Sequence, residues 1–377
     1  MKVVFLTRRM NLKIPEAHNK IAMNMINALK LTNKVNVDIL NVRTPHISGW
    51  RYSPYILPYF TDPLSLYVTL FRSFISFRKS RVVFHIINLP EFFGINKLLN
   101  QDLFKIVYTV FYPYEYLRTQ PKIVSLFRLQ VNKTSLVDKI ICFNNDTYNY
   151  LLKKGIDRKK IIKLFPPVDT QLFHPIFEKY RGELRQDMNI PQSKKVILFI
   201  GSLVPERGVF LLIDVLNQLR KKLNNLILII AYPENENDKI LLPKVIRAIK
   251  LLQLQDHVLL LGKQKDIRKI YSISDLVVLP FLRTYWITDP PLVLLESLSM
   301  GKIVITTPFG EARYLIKNLE NGILIEPFID SYVNMMYNIL THPDEYQDIA
   351  RNARTTAIEK FSLTTIGREI YEIYATI

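Results

Sequence analysis

The sequence predicts an α/β fold made of two doubly wound, parallel-sheet domains of the Rossmann-like kind. Short runs rich in Val and Ile alternate with longer amphipathic stretches along the whole chain. This alternation is typical of parallel sheets that are covered by helices on both faces. The pattern is complete in each half of the 377 residues, a length that suits about two domains of ordinary size.

Each half supplies its own set of predicted strands. The apolar runs are too short for helices and are rich in the β-branched residues that strands favour. In the first half they cover residues 2–7, 36–42, 82–87, 106–111, 139–144 and 161–165. In the second half they cover residues 196–201, 226–231, 258–262, 276–281, 303–307 and 322–326.

The stretches between these runs are predicted to be helices because apolar residues recur there at helical spacing. In the first half they cover residues 15–30, 63–79, 117–131 and 146–154. In the second half they cover residues 208–222, 239–252, 266–274, 292–300 and 330–340, and 363–377 follows as a further helix.

Prolines mark the domain boundary. Pro166, Pro167, Pro175 and Pro191 interrupt a stretch without a strand pattern. We therefore predict an N-terminal domain over residues 1–175 and a C-terminal domain over 176–362, with the helix 363–377 packing back on the first. Ligands of such sheets bind at the carboxyl ends of the strands, so the two domains are expected to face a cleft.

Composition excludes several classes of protein. The 11 glycines form neither a dinucleotide-binding fingerprint nor a P-loop. The single cysteine, Cys142, excludes a disulfide framework and fits a reducing, cytoplasmic compartment. The six histidines do not fall at a short metal-ligand spacing, and no apolar run is long enough to span a bilayer. We therefore expect a soluble or peripheral protein without a metal or bound cofactor.

The positive charge is confined to one half. Residues 1–200 hold 31 Lys and Arg against 13 Asp and Glu, whereas residues 201–377 hold 20 of each. The whole net charge of +18 thus lies in the N-terminal half. This asymmetry indicates an anionic partner for that half: a nucleic acid, a membrane surface or a phosphorylated substrate.

Candidate functional residues follow predicted strands of the second half. Residues 201–208, which include Gly201, Ser202 and Arg207, join the first strand to its helix. A glycine turn at a helix N-terminus presents free N–H groups, and Arg207 adds a fork of donors, so the stretch suits a diphosphate. Glu296 lies early in the helix that follows Asp289-Pro290-Pro291-Leu292, where it could accept the hydroxyls of a ribose. Gly310 and Glu311 follow another strand and form a second possible phosphate cradle.

These segments resemble a known family. Residues 201–208 (Gly-Ser-Leu-Val-Pro-Glu-Arg-Gly), 294–306 (Leu-Leu-Glu-Ser-Leu-Ser-Met-Gly-Lys-Ile-Val-Ile-Thr) and 321–327 (Asn-Gly-Ile-Leu-Ile-Glu-Pro) are similar to motifs of retaining GT-B glycosyltransferases of the group-1, family 4 type. Residues 167–175 resemble the interdomain segment of that family, and the opening residues resemble its first strand.

The resemblance implies a GT-B fold and a retaining, metal-independent hexosyltransferase that uses a nucleotide diphosphate sugar such as a UDP- or GDP-hexose. It implies that Arg207 stabilises the departing diphosphate and that Glu296 holds the ribose. Gly310 and Glu311 match the loop near the diphosphate, and Asp289 stands one residue after the expected catalytic glutamate. The donor-binding set thus implied is Gly201, Ser202, Arg207, Asp289, Leu292, Glu296, Gly310 and Glu311, with Arg207 and Asp289 as catalytic residues.

The sequence departs from the family pattern at several positions. Thr288 stands where the first motif glutamate is expected, and Pro290-Pro291 replaces a Phe-Gly pair, which removes two N–H donors. Ser202 replaces a basic residue, and Phe111 replaces a histidine. These changes keep a non-catalytic partner subunit open as an alternative, beside an epimerase or phosphorylase of the same architecture.

The resemblance also implies that the N-terminal half, which carries the basic excess, binds the acceptor. His18, His85 and Tyr112 are the candidate acceptor-side residues, although a buried or solvated histidine is the commoner case. The aromatic, basic-ended helix 63–79 suits either a membrane interface or the domain core. A glycan or lipid-linked acceptor on an anionic membrane surface would account for the charge. Nucleic acid is the outside alternative, because no RNA-binding signature accompanies the basic residues.

Overall fold

The structure, a computed structural model, describes residues 1–8, 17–42, 82–87, 104–111, 137–283 and 288–377. It divides into two compact units. Unit 1 comprises Met1–Pro167 with Leu363–Ile377, and unit 2 comprises Val168–Ser362. The predicted helices 63–79 and 117–131, and Tyr112, lie outside the described residues.

The segment just after Pro167 is held by unit 2, although the sequence-based boundary assigns it to the first domain. Val168 pairs with Ser362 as an isolated parallel bridge. The guanidinium of Arg354 donates to the carbonyls of Thr170 and Phe173, each at 2.8 Å. These long-range contacts place the transition between the units at Pro167, and no local sequence pattern reports them.

Unit 1 is built on a parallel sheet of six described strands in the order β2-β1-β3-β4-β5-β6. The strands are β1 (Lys2–Arg8), β2 (Asn36–Val42), β3 (Val82–Ile87), β4 (Phe104–Val110), β5 (Lys139–Cys142) and β6 (Ile161–Lys163). Their central members are buried almost throughout, as expected for strands that read as continuous apolar runs. All six predicted strand runs of this half are confirmed.

The described helices of unit 1 are α1 (Ala17–Leu31), α2 (Asn145–Lys153) and the C-terminal α11 (Leu363–Ala375). α11 returns to unit 1 and packs against α1. The backbones of the two helices meet at Gly367, where a Cβ would lie 2.2 Å from the carbonyl oxygen of Ala28. The apolar side chains Ile366 and Ile370 of α11 are fully buried in this unit.

A buried polar chain also joins α11 to the sheet. His85 on β3 is fully buried; its Nδ1 is hydrogen-bonded to the Tyr374 hydroxyl and its Nε2 lies 2.5 Å from Oγ1 of Thr109 on β4. The ring stacks on Phe5 of β1, with centroids 4.8 Å apart. Burial lowers the pKa of His85 to about 3, so the imidazole is neutral at physiological pH.

Unit 2 has a second parallel sheet of six described strands, in the order β12-β11-β10-β7-β8-β9. The strands are β7 (Lys195–Ile200), β8 (Leu226–Ala231), β9 (Val258–Leu261), β10 (Leu276–Leu279), β11 (Val304–Thr306) and β12 (Ile323–Leu324). The order runs one way from β7 to β9 and the other way from β10 to β12. The topological switch point therefore lies between the neighbouring strands β7 and β10.

Helices alternate with the strands of unit 2 along the chain and flank this sheet, as the sequence pattern predicts. They are α3 (Arg181–Asp187), α4 (Val209–Leu219), α5 (Glu236–Leu251), α6 (Ile267–Ile273), α7 (Leu292–Ser299), α8 (Ala312–Leu315), α9 (Ile329–Thr341) and α10 (Gln347–Phe361). Sequence reasoning gave no range for α3, α8 or α10. The buried face of α10 consists of Ile349, Ala353, Ala357 and Phe361, and two small alanines make a weak apolar signal.

We predict that Gly367→Ala destabilises unit 1. Alanine in a helix is ordinarily about 1 kcal/mol better than glycine. Here its Cβ would be forced against the Ala28 carbonyl, and such overpacking costs about 1–3 kcal/mol. Scanning calorimetry should therefore show a lower midpoint for this variant.

Gly182→Ala is the matched control for that prediction. It lies in the helix α3, and the nearest atom to its added Cβ would be Nε2 of Gln192 at 3.9 Å. This variant should be neutral or more stable than wild type. If Gly367→Ala behaves like Gly182→Ala, the close approach of α1 and α11 is not a packing constraint.

We also predict that acid destabilises unit 1 through His85. Its pKa in the fold is below that of an exposed histidine, so the unfolded chain binds the proton more readily. The stabilisation is complete above about pH 6.5 and is lost as pH falls, by about 2 kcal/mol between pH 6.5 and pH 5. His85→Gln should lose that much less over the same interval. Chemical denaturation followed by circular dichroism measures both; an identical pH dependence of the two proteins would contradict the prediction.

Candidate functional site

The predicted donor-side residues lie at the carboxyl edge of the unit 2 sheet. The stretch 201–208 follows β7, Pro280 and Phe281 follow β10, and Thr307 follows β11. These strands are neighbours on either side of the switch point, where open α/β sheets bind their ligands. The fold thus brings together residues that are about a hundred positions apart in sequence, counted along the chain.

The turn after β7 lies directly on the end of β10. Gly208 has a φ of 77°, and a Cβ at this residue would lie 1.9 Å from the carbonyl oxygen of Pro280. The backbone N–H of Leu282 donates to the carbonyl of Glu206 at 2.9 Å. Only glycine combines this dihedral angle with this approach, so the turn depends on Gly208.

Arg207 is placed at the switch point by that turn. Its guanidinium lies over the ring of Phe281, 5.4 Å from the centroid, and its Cδ lies close to Gly201. α4 begins at the next residue but one, with no acidic residue in its first turn. The first N–H groups of a helix have no partner within the helix and carry partial positive charge. A guanidinium beside them is suited to a diphosphate.

Ser202 has a different partner from the one the sequence indicates. Its hydroxyl donates to Oδ1 of Asp238 at 2.5 Å, so the proton is committed to a carboxylate. Sequence reasoning missed Asp238, because it placed the start of that helix at residue 239. The signal that could have found it is the capping-box pair of Asn235 and Asp238 three residues apart.

Asp289 is buried against the turn that follows β11. Its Oδ1 accepts a hydrogen bond from the backbone N–H of Glu311 at 2.8 Å. A Cβ at Gly310 would lie 2.5 Å from the same oxygen, so the carboxylate fits against the bare glycine backbone. Asp289, Gly310 and Glu311 therefore form one contact group, in which the Asp289 carboxylate holds the turn. A catalytic role for Asp289 stays a prediction.

Glu296 and Leu292 lie on α7, which begins directly after Pro291 as the sequence predicts. Both side chains are 7 % exposed, whereas Glu311 is fully buried. Burial, and next the charge of Glu296, raise the pKa of the Tyr271 hydroxyl. A largely buried glutamate in the second turn of a helix is an acceptor that hydroxyl groups of a ligand can use.

The 201–208 turn and the contact group of Asp289, Gly310 and Glu311 are both linked to the end of β10. Thr307, which leads into the Gly310 turn, donates from Oγ1 to the carbonyl of Phe281 at 2.6 Å. Phe281 is also the ring under Arg207. The loops that follow β7, β10 and β11 are thus tied to one another at the switch point.

A cavity of about 220 Å³ lies at the opposite, amino-terminal edge of the unit 2 sheet, where Lys195, Asp275 and Lys302 contribute to its wall. Lys302 in this wall is hydrogen-bonded to Glu178 and to the Ser274 carbonyl. Asp275 is paired with Arg181 and Arg185. At this edge, Glu178 and Arg181, which follow the unit boundary in sequence, are bound to Lys302 and Asp275. We therefore do not assign the donor site to this edge.

The two described acceptor-side candidates, His85 and His18, have different surroundings in unit 1. His85 is fully buried and both of its ring nitrogens are occupied by protein partners, so its role is structural and the predicted acceptor contact is not supported. His18, in the first turn of α1, packs on Phe111 at the end of β4, with ring centroids 5.3 Å apart. The ring of Phe143, which follows β5, also packs on Phe111, with the same centroid distance of 5.3 Å. Burial lowers the pKa of His18 to about 4, so a neutral imidazole lies at this carboxyl edge.

Within the described ranges, no group of three or more His, Cys, Asp or Glu side chains could hold a metal ion. No helix in the part of the chain that the structure describes has the length and apolar character to cross a bilayer.

Comparison with known proteins agrees with the geometry of unit 2. Residues 181–356 match the family model described as glycosyl transferases group 1. This range lies wholly within unit 2 and contains all the donor-side candidates.

Two curated relatives are also glycosyltransferases. One relative is the UDP-Gal:alpha-D-GlcNAc-diphosphoundecaprenol alpha-1,3-galactosyltransferase of Escherichia coli, to which the chain is 26% identical over 259 residues. This alignment covers 65% of this chain and 62% of that protein. The chain is 26% identical over 199 residues to the lipopolysaccharide 1,2-N-acetylglucosaminetransferase of Salmonella typhimurium, covering 51% of each. The alignments therefore span about half to three fifths of the curated relatives.

The fold is shared over the full chain with solved structures. Anabaena HepE, crystallised in complex with UDP and glucose, superposes with a TM-score of 0.73 and 17% sequence identity, covering 100% of both chains. At this identity the likeness establishes the fold. Residues 181–356 thus match the group-1 glycosyltransferase family, and the chain has the two-domain GT-B fold.

Proposed function

We propose that the protein transfers a hexose from a nucleotide diphosphate sugar to a glycan or lipid-linked acceptor, with retention of the anomeric configuration. The observation that carries this proposal is the placement of Arg207 beside the N-terminus of α4 at the switch point of the group-1 domain. That arrangement offers positive charge where a departing diphosphate would develop negative charge.

A UDP-hexose is the donor we favour. Support comes from the UDP and glucose bound by Anabaena HepE and from the UDP-Gal named for the Escherichia coli relative. A GDP-hexose remains the alternative donor. In either case the diphosphate would lie on Arg207 and the 201–208 turn, and Glu296 would accept the ribose hydroxyls.

The proposed reaction proceeds on one face of the sugar. The bond from C1 to the diphosphate oxygen breaks while the bond from C1 to the acceptor oxygen forms on the same side. The acceptor proton passes to the departing phosphate oxygen. Arg207 and the α4 amides stabilise the leaving charge, the task for which other enzymes use a metal, and we propose that none is required. Asp289 would act by fixing the Gly310–Glu311 turn beside the donor.

A lipid-linked acceptor would account for the basic first half of the chain. The Escherichia coli relative is named for a diphosphoundecaprenol acceptor and the Salmonella relative for lipopolysaccharide. An acceptor of this kind is anionic and lies at a membrane. We propose a cytoplasmic protein that binds the membrane surface peripherally through unit 1.

One described basic surface in unit 1 fits this role. We call it the α2–β6 surface, and it consists of the exposed side chains of Lys153, Lys154, Arg158 and Lys159. It lies on the edge of the sheet, since β6 is the terminal strand. Basic residues near an anionic bilayer contribute about 1 kcal/mol each.

A non-catalytic partner subunit is the second candidate. The observation that favours it is the Asp289 carboxylate, which stands one residue after the expected catalytic glutamate and accepts a hydrogen bond from the Glu311 backbone N–H. Release of nucleoside diphosphate from a nucleotide sugar by the purified protein would exclude this candidate.

We predict that Arg207→Ala lowers turnover of the nucleotide sugar by about 100-fold or more, because the leaving charge loses its side-chain donor. Glu296→Ala should mainly weaken donor binding. Arg220→Ala, at the other end of α4, is the control and should keep wild-type turnover. The measurement is nucleoside diphosphate release with a panel of UDP- and GDP-hexoses. Wild-type turnover in both Arg207→Ala and Glu296→Ala would overturn the assignment.

We predict that the α2–β6 surface binds anionic vesicles. Replacing its four basic residues by Gln should weaken cosedimentation with phosphatidylglycerol-containing vesicles at low salt by at least about tenfold, given the contribution of each charge. The control removes four exposed charges from α5 of unit 2: Lys239, Lys244, Arg247 and Lys250. Equal loss in both variants would show that net charge, and not this surface, determines binding.

A further inference from the structure

Asp238 is a fully buried carboxylate at the start of α5. Its Oδ2 accepts from the backbone N–H of Asn235 at 3.1 Å, and its own N–H donates to the Asn235 side chain at 3.0 Å. This reciprocal pair is a capping box, and it stabilises the end of the helix. It uses only one of the two carboxylate oxygens.

The second oxygen of Asp238 bonds outside its own helix. Oδ1 accepts from the Ser202 hydroxyl at 2.5 Å and from the backbone N–H of Leu203 at 2.7 Å. Both partners belong to the turn that follows β7 and carries Arg207. Bonds from N–H and O–H groups to a carboxylate are stronger than those between neutral groups, and burial shields them from water.

The 201–208 turn is therefore anchored at both ends. At its far end Gly208 lies on the Pro280 carbonyl, and Leu282 binds Glu206. At its near end the anchor is the Asp238 side chain. Arg207 lies between these anchors, so its position depends on both.

We propose that Asp238 is a positioning residue for donor binding, which acts through Ser202 and Leu203 to hold the turn that carries Arg207. This inference rests on the proposed function. It also implies that the Ser202 hydroxyl serves the anchor and does not donate to the diphosphate, because its proton is already bonded to Asp238.

The test compares Asp238→Ala, Asp238→Asn and Arg207→Ala in the full chain. Asp238→Ala should raise the Kd for UDP by about tenfold, measured by titration calorimetry well below the unfolding temperature, since one loop anchor is lost. Asp238→Asn should restore most of that affinity, because its amide oxygen still accepts from Ser202 and Leu203. The double variant Asp238→Ala with Arg207→Ala should lose less UDP affinity than the two single losses added together, because the anchor acts in part through Arg207.

Asp266→Ala is the matched control. Asp266 also caps a helix of unit 2, and its carboxylate bonds Arg268 only two residues away. Hydrogen exchange should show faster exchange of the 201–208 amides in Asp238→Ala than in Asp266→Ala. A comparable loss of UDP affinity in Asp266→Ala would show general destabilisation and overturn the inference.

Two further outcomes separate this inference from the function on which it rests. If wild type binds UDP and Asp238→Ala binds it equally well, or if the losses in the double variant add, the positioning role is wrong and the proposed function stands. If wild type binds neither UDP nor GDP, the proposed donor is wrong and the positioning role falls with it.

Discussion

The close approach of Gly208 to Pro280 is the constraint on which the donor side of the molecule depends. A side chain at residue 208 would collide with the Pro280 carbonyl, 1.9 Å from its Cβ position, so the turn after β7 lies flat on the end of β10 only because this residue is glycine. The contact lets Leu282 bind Glu206 and lets Arg207 reach the Phe281 ring. The contact also fixes the start of α4, whose first residue follows Gly208. It thereby sets the direction in which the free N–H groups of the first turn of α4 point.

Buried carboxylates complete the same edge of the sheet. Asp238 accepts from the N–H of Leu203 and Asp289 from the N–H of Glu311, each within a turn that follows a strand. Removing a carboxylate from water is costly, and charge-assisted bonds to backbone amides offset that cost. Because such bonds have strict geometry, they also hold each turn in one conformation. A ligand that binds between turns that are already ordered loses less free energy to ordering them, which is the advantage of such an edge for a nucleotide.

The strands could be predicted from the sequence, whereas the long-range side-chain contacts could not. All twelve predicted strand runs are confirmed, because β-branched runs buried on both faces have few other structures open to them. α3 was not predicted because its one buried side chain is Arg185, a residue whose burial depends on carbonyls of Ile273 and Lys194 that fold against it. Arg207 and Glu296 could be proposed because each follows a strand in a recognisable pattern. The anchoring role of Asp238 and the burial of His85 could not, since their partners, Ser202 and Tyr374, are far away in sequence.

The distribution of charge separates two electrostatic tasks. Residues 201–377 carry no net charge, yet they contain the turn and helix end proposed to hold a diphosphate. A neutral domain can do this because Arg207 and the amides of α4 act within a few ångströms, where geometry matters more than total charge. The excess in residues 1–200 would act differently: at physiological ionic strength the field of exposed charges extends only about 8 Å, so it favours an extended anionic surface that comes into contact with it. Under the proposed function, the charge of the basic half is therefore assigned to the acceptor or to the surface that carries it, and not to the donor.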